Sequence, residues 1–290
     1  MRRVLVLGAD GMLGQMVCRV LAASDEFYVE GTTRRDRSGP LFLDAEADPQ
    51  TWSRVLRQTG PFEYWINCIG MLSRDVSSDR SDSVRSAVVI NALFPHLLAE
   101  ASVESGASVL HVSTDGVFAP DAGVCLEDTP ISCTDPYGQT KALGEVNSPS
   151  LLNIRCSLIG PDPGGRKGLW EWVLGRPRNA DILGYTDHLW NGVTTLQFAR
   201  LCEHLIRGDR FENVRAEGAT HHFCPNGVTS KYELLLQIRD ALRPDLTIRP
   251  GHGPGDSVTR LLNTRRQSLP RLFGMDIPMK QAVRELVAFA

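Results

Sequence analysis

Val4-Leu5-Val6-Leu7-Gly8-Ala9-Asp10-Gly11-Met12-Leu13-Gly14 sets the frame for the 290-residue chain. Four consecutive apolar residues stop at a glycine, which is the pattern of a strand buried on both faces, as in a parallel sheet. Leu13, Met16, Val17, Val20 and Leu21 then recur at helical spacing to about Ser24. A G-x-x-G-x-x-G turn between a buried strand and an amphipathic helix permits a tight bend and close backbone approach, and the helix N-terminus attracts an anion. Gly8, Gly11, Met12, Leu13 and Gly14 are therefore candidates for a pyrophosphate cradle.

Outward from this unit the alternation continues. Strands are expected at 28–32, 41–43, 64–68, 108–112 and 151–154. Helices are marked by Trp52, Val55 and Leu56 between Pro49 and Gly60, by the pattern over 84–105, and by a start near Pro136. Such alternation indicates βαβ units, hence an α/β chain with a Rossmann-type, doubly wound parallel sheet. After Gly160 the rhythm breaks at Pro161, Pro163, Gly164 and Gly165. A helix over 195–206 and a strand over 221–224 read as returns to the sheet, and helices over 231–241 and 279–289 belong to the remainder. The expected organisation is a cofactor domain over 1–157, with return segments at about 192–225, and a smaller, discontinuous α/β substrate domain from 158–191 and 226–290.

Composition narrows the class. Hydrophobic residues at 42% and charged residues at 22% describe a folded globule rather than a disordered chain. A net charge of −3 with no long basic run argues against a nucleic-acid partner. The seven cysteines, at 18, 68, 125, 133, 156, 202 and 224, form no C-x-x-C motif or ligand cluster and point to reduced thiols in a cytoplasmic protein. The apolar run after Arg2-Arg3 is too short for a signal peptide. The longest apolar stretch, 87–99, is interrupted by Asn91, Pro95 and His96, so no membrane segment is expected.

At the end of the second expected strand, Gly31-Thr32-Thr33-Arg34-Arg35 lacks the carboxylate that accepts hydrogen bonds from the ribose of NAD. Thr33, Arg34 and Arg35 suit a 2′-phosphate, because guanidinium binds phosphate through paired, charge-assisted hydrogen bonds. NADP(H) is favoured, with NAD(H) as the alternative. Asp44 either meets the adenine or caps the following segment. Cys68, Ile69 and Gly70 end another strand, where backbone can approach the pyrophosphate.

The strand expected at 108–112 runs into Ser113-Thr114-Asp115, and the helix after Pro136 carries Tyr137 and Lys141, four apart and on one face. A free phenol has a pKa of about 10. A neighbouring ammonium and a cationic nicotinamide would lower it, while the Thr114 hydroxyl would hold a substrate oxygen beside it.

Together with Val89-Ile90-Asn91-Ala92, Ser113-Thr114-Asp115-Gly116-Val117-Phe118, Glu127-Asp128, Pro136-Tyr137-Gly138-Gln139-Thr140-Lys141, Glu145 and Arg155-Cys156-Ser157, these motifs make most of the chain resemble the extended short-chain dehydrogenase/reductase family. Within it the likeness is to the branch that reduces a 4-keto group on a nucleotide-linked deoxysugar, in nucleotide-sugar and surface polysaccharide or glycoside biosynthesis. The resemblance implies Thr114, Tyr137 and Lys141 as catalytic triad, Lys141 on the nicotinamide ribose, Tyr137 and Asn91 beside the cofactor, and the nucleotide-sugar in the C-terminal part. Gly116 stands where the family has Tyr, and Leu158 where it has an aromatic, which suggests a different or bulkier sugar or another nucleotide. Ser113 and Asp115 flank this site as further candidate substrate contacts.

His188, Trp190 and Asn191, at the junction of the two expected domains, are further candidates for substrate binding. An equal reading has Trp190 packing the interface and Asn191-Gly192 turning the chain. His221-His222 read as core or surface histidines, since neighbours on a strand point oppositely and no third metal ligand is at hand. Lys167, Arg260, Arg265 and Arg266 are candidates for a substrate pyrophosphate or for solvated surface charge. A nucleotide-sugar partner is expected, with neither nucleic acid nor membrane, and a homodimer is compatible. Alternatives are an NAD-dependent nucleotide-sugar epimerase or dehydratase of the same superfamily, and a non-catalytic nucleotide-binding regulatory subunit.

Overall fold

Alternating burial in the first strand organises the molecule. Strand β1 (Arg2–Leu7) sends Val4 and Val6 into one core cluster and Leu5 and Leu7 into a second, so its centre carries no polar side chain. The computed structural model describes residues 1–36, 41–48, 52, 55–56, 60–164 and 168–289. After β1 come β2 (Phe27–Gly31), β3 (Tyr64–Asn67), β4 (Ser108–Thr114), β5 (Gly123–Cys125), β6 (Leu151–Cys156) and β7 (Leu158–Ile159). The later strands are β8 (Asp181–Tyr185), β9 (His188–Trp190), β10 (Val193–Thr194), β11 (Thr220–His222), β12 (Thr229–Ser230), β13 (Thr247–Gly251) and β14 (Val258–Leu262).

Six strands form the main sheet in the order β11-β6-β4-β3-β1-β2, every pair parallel. From β1 the chain moves outward to β2 and then crosses to β3 on the other side. The order thus reverses at β1, and the loops after β1 and β3 flank a crevice at the carboxyl ends of the strands, where open α/β sheets bind ligands. Helices Met12–Ala22, Thr195–Arg207 and Met279–Phe289 contribute to the first cluster, and Phe94–Ser105 contributes to the second with Trp52 and Leu56.

Residues 41–43 do not form the expected third strand. Phe42 makes an isolated parallel bridge to Thr33, beyond the last residue of β2, so the segment caps that strand rather than extending the sheet. Trp52, Val55 and Leu56 are helical, while Pro49 lies outside the described residues.

The expected long helix runs through Ser81–Ala87, a π-helical turn at Val88–Leu93, and Phe94–Ser105. The widened turn has a local cause, because Pro95 has no N–H to offer the Asn91 carbonyl and its ring would clash with that carbonyl in a regular α-helix. By length and composition this helix is apolar enough to cross a membrane. Its Ile90, Phe94 and Leu98 pack in the second cluster, as in the core helix of a folded domain.

Beyond the main sheet, β12-β9-β14-β5 form a four-stranded sheet, and β13 pairs with β8. β5, unexpected from sequence, lies between β4 and β6 in the chain yet joins this sheet through parallel pairing with β14.

Candidate active site

The glycine turn is shaped by contact. Gly8 has φ +80°, and a Cβ there would stand 2.9 Å from Ile69 Cγ1, so the loops after β1 and β3 touch. A side chain at Gly14 would overlap the Gly8 carbonyl, which brings the helix onto the turn. Gly11 caps that helix without a side-chain hydrogen bond, and no acidic residue occupies its first turn. The positive helix end is therefore presented to the crevice beside Met12. Leu13 is a core residue, so only its backbone can serve a ligand.

Gly8 N donates to Thr32 Oγ1 at 3.0 Å, which ties the turn to the end of β2. Thr33 donates to the Asp10 carboxylate, and Arg35 Nε lies 3.7 Å from it. Asp10, overlooked in the sequence reading, thus faces Arg35, and Arg34 is exposed with no ion-pair partner among the described residues. Asp44 follows the capping reading, its carboxylate accepting from Glu46 N at 3.1 Å.

The candidate proton-transfer residues converge at the ends of β4 and β3. Thr114 Oγ1 accepts from Gly116 N at 3.0 Å and donates to Asp115 Oδ1 at 3.2 Å. Asp135 caps helix Pro136–Leu143 through Gly138 N at 2.9 Å, and Pro136 supplies the preset first turn. A side chain at Gly138 would overlap the Gly116 carbonyl, so the helix start sits directly on the turn that follows Thr114. Tyr137 thereby comes beside Thr114, both lining the space over Gly116.

Burial pushes the Tyr137 phenol up to about 12, with Asp115 pushing the same way and Thr114 and Arg260 opposing. The expected lowering is not present in the chain itself, because desolvation of phenolate outweighs these neighbours. At neutral pH the phenol holds its proton. Lys141 is buried, donates from Nζ to Val112 O at 2.7 Å, and is depressed to about 8 by burial, against the carboxylate of Glu145.

A Cβ on Gly70 would lie 3.5 Å from Asn91 Oδ1 and 4.0 Å from Lys141 Nζ, so the loop after β3, the π turn and the catalytic helix meet here. Asn91 Oδ1 accepts from Met71 N at 2.9 Å. Cys68 N extends the ladder to Leu7 O at 3.0 Å, while its thiol is raised by burial. The loop is further set by Asn67, which accepts from Ile69 N at 3.1 Å and reaches His111 Nδ1 at 3.0 Å. This buried pair was missed because Asn67 and His111 meet only when β3 and β4 align.

On the substrate side, a Cβ at Gly116 would stand 3.0 Å from Tyr137 Cε1 and 3.3 Å from Thr114 Oγ1, so glycine leaves free the space beside both reactive hydroxyls. Asp115 pairs with Arg260 Nε at 3.3 Å, and Arg260 also donates to Phe118 O at 3.0 Å. Arg260 is therefore anchored on the catalytic turn rather than held as a free anion ligand.

Ser113 is a correction to the substrate contacts. Alternation along β4 turns it away from Thr114, and its hydroxyl donates to Glu145 Oε1 at 2.6 Å. Asn191 is a second correction, because both ends of its amide are taken up by the backbone of Leu262, at 2.7 and 3.1 Å. Trp190 Nε1 donates to Ser157 Oγ at 2.8 Å, and its ring leaves no room for a side chain at Gly192, in keeping with the interface-packing reading. Leu158 is half-buried against the first cluster.

His188 is 8% exposed, and neither ring nitrogen has a partner among the described residues. Its ring lies 5.0 Å from that of Tyr185, with Lys231 Nζ 5.9 Å from the Tyr185 ring centre. Lys231 is depressed by burial and by Arg260 and has no carboxylate partner among the described residues. Nothing in its immediate sequence marks Lys231 as a site residue. It reaches the cluster because the Ser230–Glu233 capping box starts its helix there. Arg265 reaches Asp128 at 3.3 Å, Arg266 lies across Gly218, and Lys167 is outside the described residues.

A family profile described as the RmlD substrate binding domain matches residues 1–252. A dTDP-4-dehydrorhamnose reductase of Aggregatibacter actinomycetemcomitans is 27% identical over 252 residues, covering 83% of this chain and 79% of the relative. A probable dTDP-4,6-dihydroxy-2-methyloxan-3-one 4-ketoreductase of Streptomyces antibioticus is 32% identical over 146 residues, covering 49% of this chain and 45% of its own. Among solved structures, a dTDP-4-dehydrorhamnose reductase of Bacillus anthracis in complex with NADP superposes over 100% of both chains with a TM-score of 0.77 at 19% identity.

Proposed function

The chain belongs to the RmlD substrate binding domain family, and from that membership we propose that it is an NADPH-dependent reductase of the 4-keto group of a nucleotide-linked deoxysugar. The observation that carries this reading is the Tyr137 phenol set beside the Thr114 hydroxyl, on a helix whose next turn places Lys141 at the crevice. The residues fit a dinucleotide. The glycine turn and the uncapped helix end suit its pyrophosphate, and Arg34, in place of a carboxylate after β2, suits a 2′-phosphate. When bound, the nicotinamide supplies the hydride for the carbonyl carbon.

The chain's own residues handle the oxygen and its proton. Thr114 orients the carbonyl oxygen, and Tyr137 donates its proton as charge develops there. Lys141 contributes a fixed positive charge that eases the negative charge left on Tyr137. Asn91 and the loop 68–70 would hold the nicotinamide half when the cofactor is bound.

On the substrate side, Lys231 and His188, near the Arg260 that pairs with Asp115, suit an anionic nucleotide portion, while Gly116 leaves space at the sugar. The segments 158–191 and 226–290 are read as the substrate-binding part, over a cofactor domain at 1–157 and about 192–225, in a cytoplasmic enzyme.

The test is NADPH oxidation by the purified chain with dTDP-, UDP- and GDP-linked 4-keto-6-deoxysugars, with NADH in parallel. Turnover with at least one sugar, faster with NADPH, is expected. A tightly retained NAD with no net oxidation of added NADPH would favour an epimerase or dehydratase instead.

A further inference from the structure

Glu145 and Arg155 form the most enclosed ion pair among the described residues, their side chains 8% and 6% exposed. Arg155 donates from Nε and Nη2 to the two carboxylate oxygens at 2.7 Å each, and Ser113 adds a third donor at 2.6 Å. Arg155 is itself fixed, with Nη1 3.2 Å from His222 Nε2 and its guanidinium 5.1 Å from the Phe118 ring centre. His222 is held in turn through Nδ1 by Asn263 O at 2.8 Å.

Stability alone does not account for such a pair, since well-packed apolar residues commonly replace buried ion pairs without loss. Its place in the fold offers a reason. Glu145 lies four residues after Lys141, and Ser113 immediately precedes Thr114 in β4.

We propose that Glu145 is a positioning residue for Lys141: Arg155 and Ser113 fix its carboxylate beside the β4 residue that follows Val112, whose carbonyl takes the ammonium, and from there it supplies the counter-charge for Lys141 inside the enclosed site. The inference takes the role of Lys141 from the reductase reading. Among the described residues the other groups around Lys141 do not provide this charge, and the Arg155 guanidinium on β6 is itself taken up by Glu145. β4 contributes the Val112 carbonyl and His111, which burial keeps neutral, β6 contributes the Cys156 thiol, which burial keeps protonated, and Asn91 and Gly70 are uncharged. Burial pulls Lys141 down to about 8, and Glu145 opposes that pull.

The chain has four lysines, Lys141, Lys167, Lys231 and Lys280, so carbon-13 NMR of labelled lysine Cε follows each titration directly, with Lys141→Arg to assign the signal. This readout needs no turnover. An unmoved Lys141 midpoint counts against the present inference, whereas absent NADPH oxidation with a normal midpoint counts against the reductase reading. In Glu145→Gln the midpoint is expected to fall by about one pH unit or more, and in Glu145→Asp, which keeps the carboxylate but withdraws it, by less. Should Glu145→Gln fail to fold, Glu145→Asp carries the test alone. A Lys141 midpoint equal to wild type in the folded variants would overturn the proposal.

Discussion

Tyr137 and Lys141 are tuned in opposite senses by the same burial, the phenol up to about 12 and the ammonium down to about 8. A proton donor for reduction must hold its proton at working pH, and Tyr137 does so across the neutral range. Lys141 has the lowered pKa of a desolvated base, so its charge is intact below pH 8 and is lost as pH rises through that value. The kcat/KM for NADPH-dependent reduction is therefore expected to be flat near neutrality and to fall above pH about 8, tenfold per unit once fully on the limb. A profile flat to pH 10 would detach Lys141 from the reaction. Residue type and spacing marked Thr114, Tyr137 and Lys141 as candidates in the sequence. The burial that sets their pKa values was not legible there, because Cys156, Asp115 and Arg260 reach them only through tertiary contact. Ser113 and Asn191 were misplaced for the same reason, since neither Glu145 nor Leu262 is near them in sequence.

At the scale of elements, the π turn at Val88–Leu93 sets Asn91 beside Gly70 and Lys141. Gly144, just after the catalytic helix, is where that helix meets the displaced Asn91 carbonyl, and a Cβ there would overlap the carbonyl oxygen and lie 3.3 Å from Pro95 Cγ. Gly144→Ala is expected to destabilise the protein by about 1–3 kcal/mol through overpacking, although its φ of −82° is one that alanine adopts freely. Thermal unfolding followed by circular dichroism checks this, and an unchanged midpoint would show that the two helices are not pressed together there. The sequence pattern revealed the long helix but not its widened turn, because hydrophobic periodicity does not report which carbonyl a proline leaves without a donor.

Across the whole molecule, the two faces of β1 predict both halves of the core, Val4 and Val6 in one and Leu5 and Leu7 in the other, and this made the doubly wound sheet readable from eleven residues. The C-terminal part was less legible. β5 pairs with β14 across more than a hundred residues of chain, and β14 carries Arg260 to Asp115 beside Tyr137. That connection joins the substrate side to the catalytic turn. The reading of the molecule as a reductase turns on Tyr137 as its proton donor. Pre-steady-state NADPH oxidation by wild type and Tyr137→Phe, with a dTDP-linked 4-keto-6-deoxysugar and both proteins shown to bind NADPH equally, measures this most directly. The expected result is a chemical step slowed by about 10²–10⁴ in Tyr137→Phe with cofactor affinity retained. A Tyr137→Phe rate equal to wild type would contradict it.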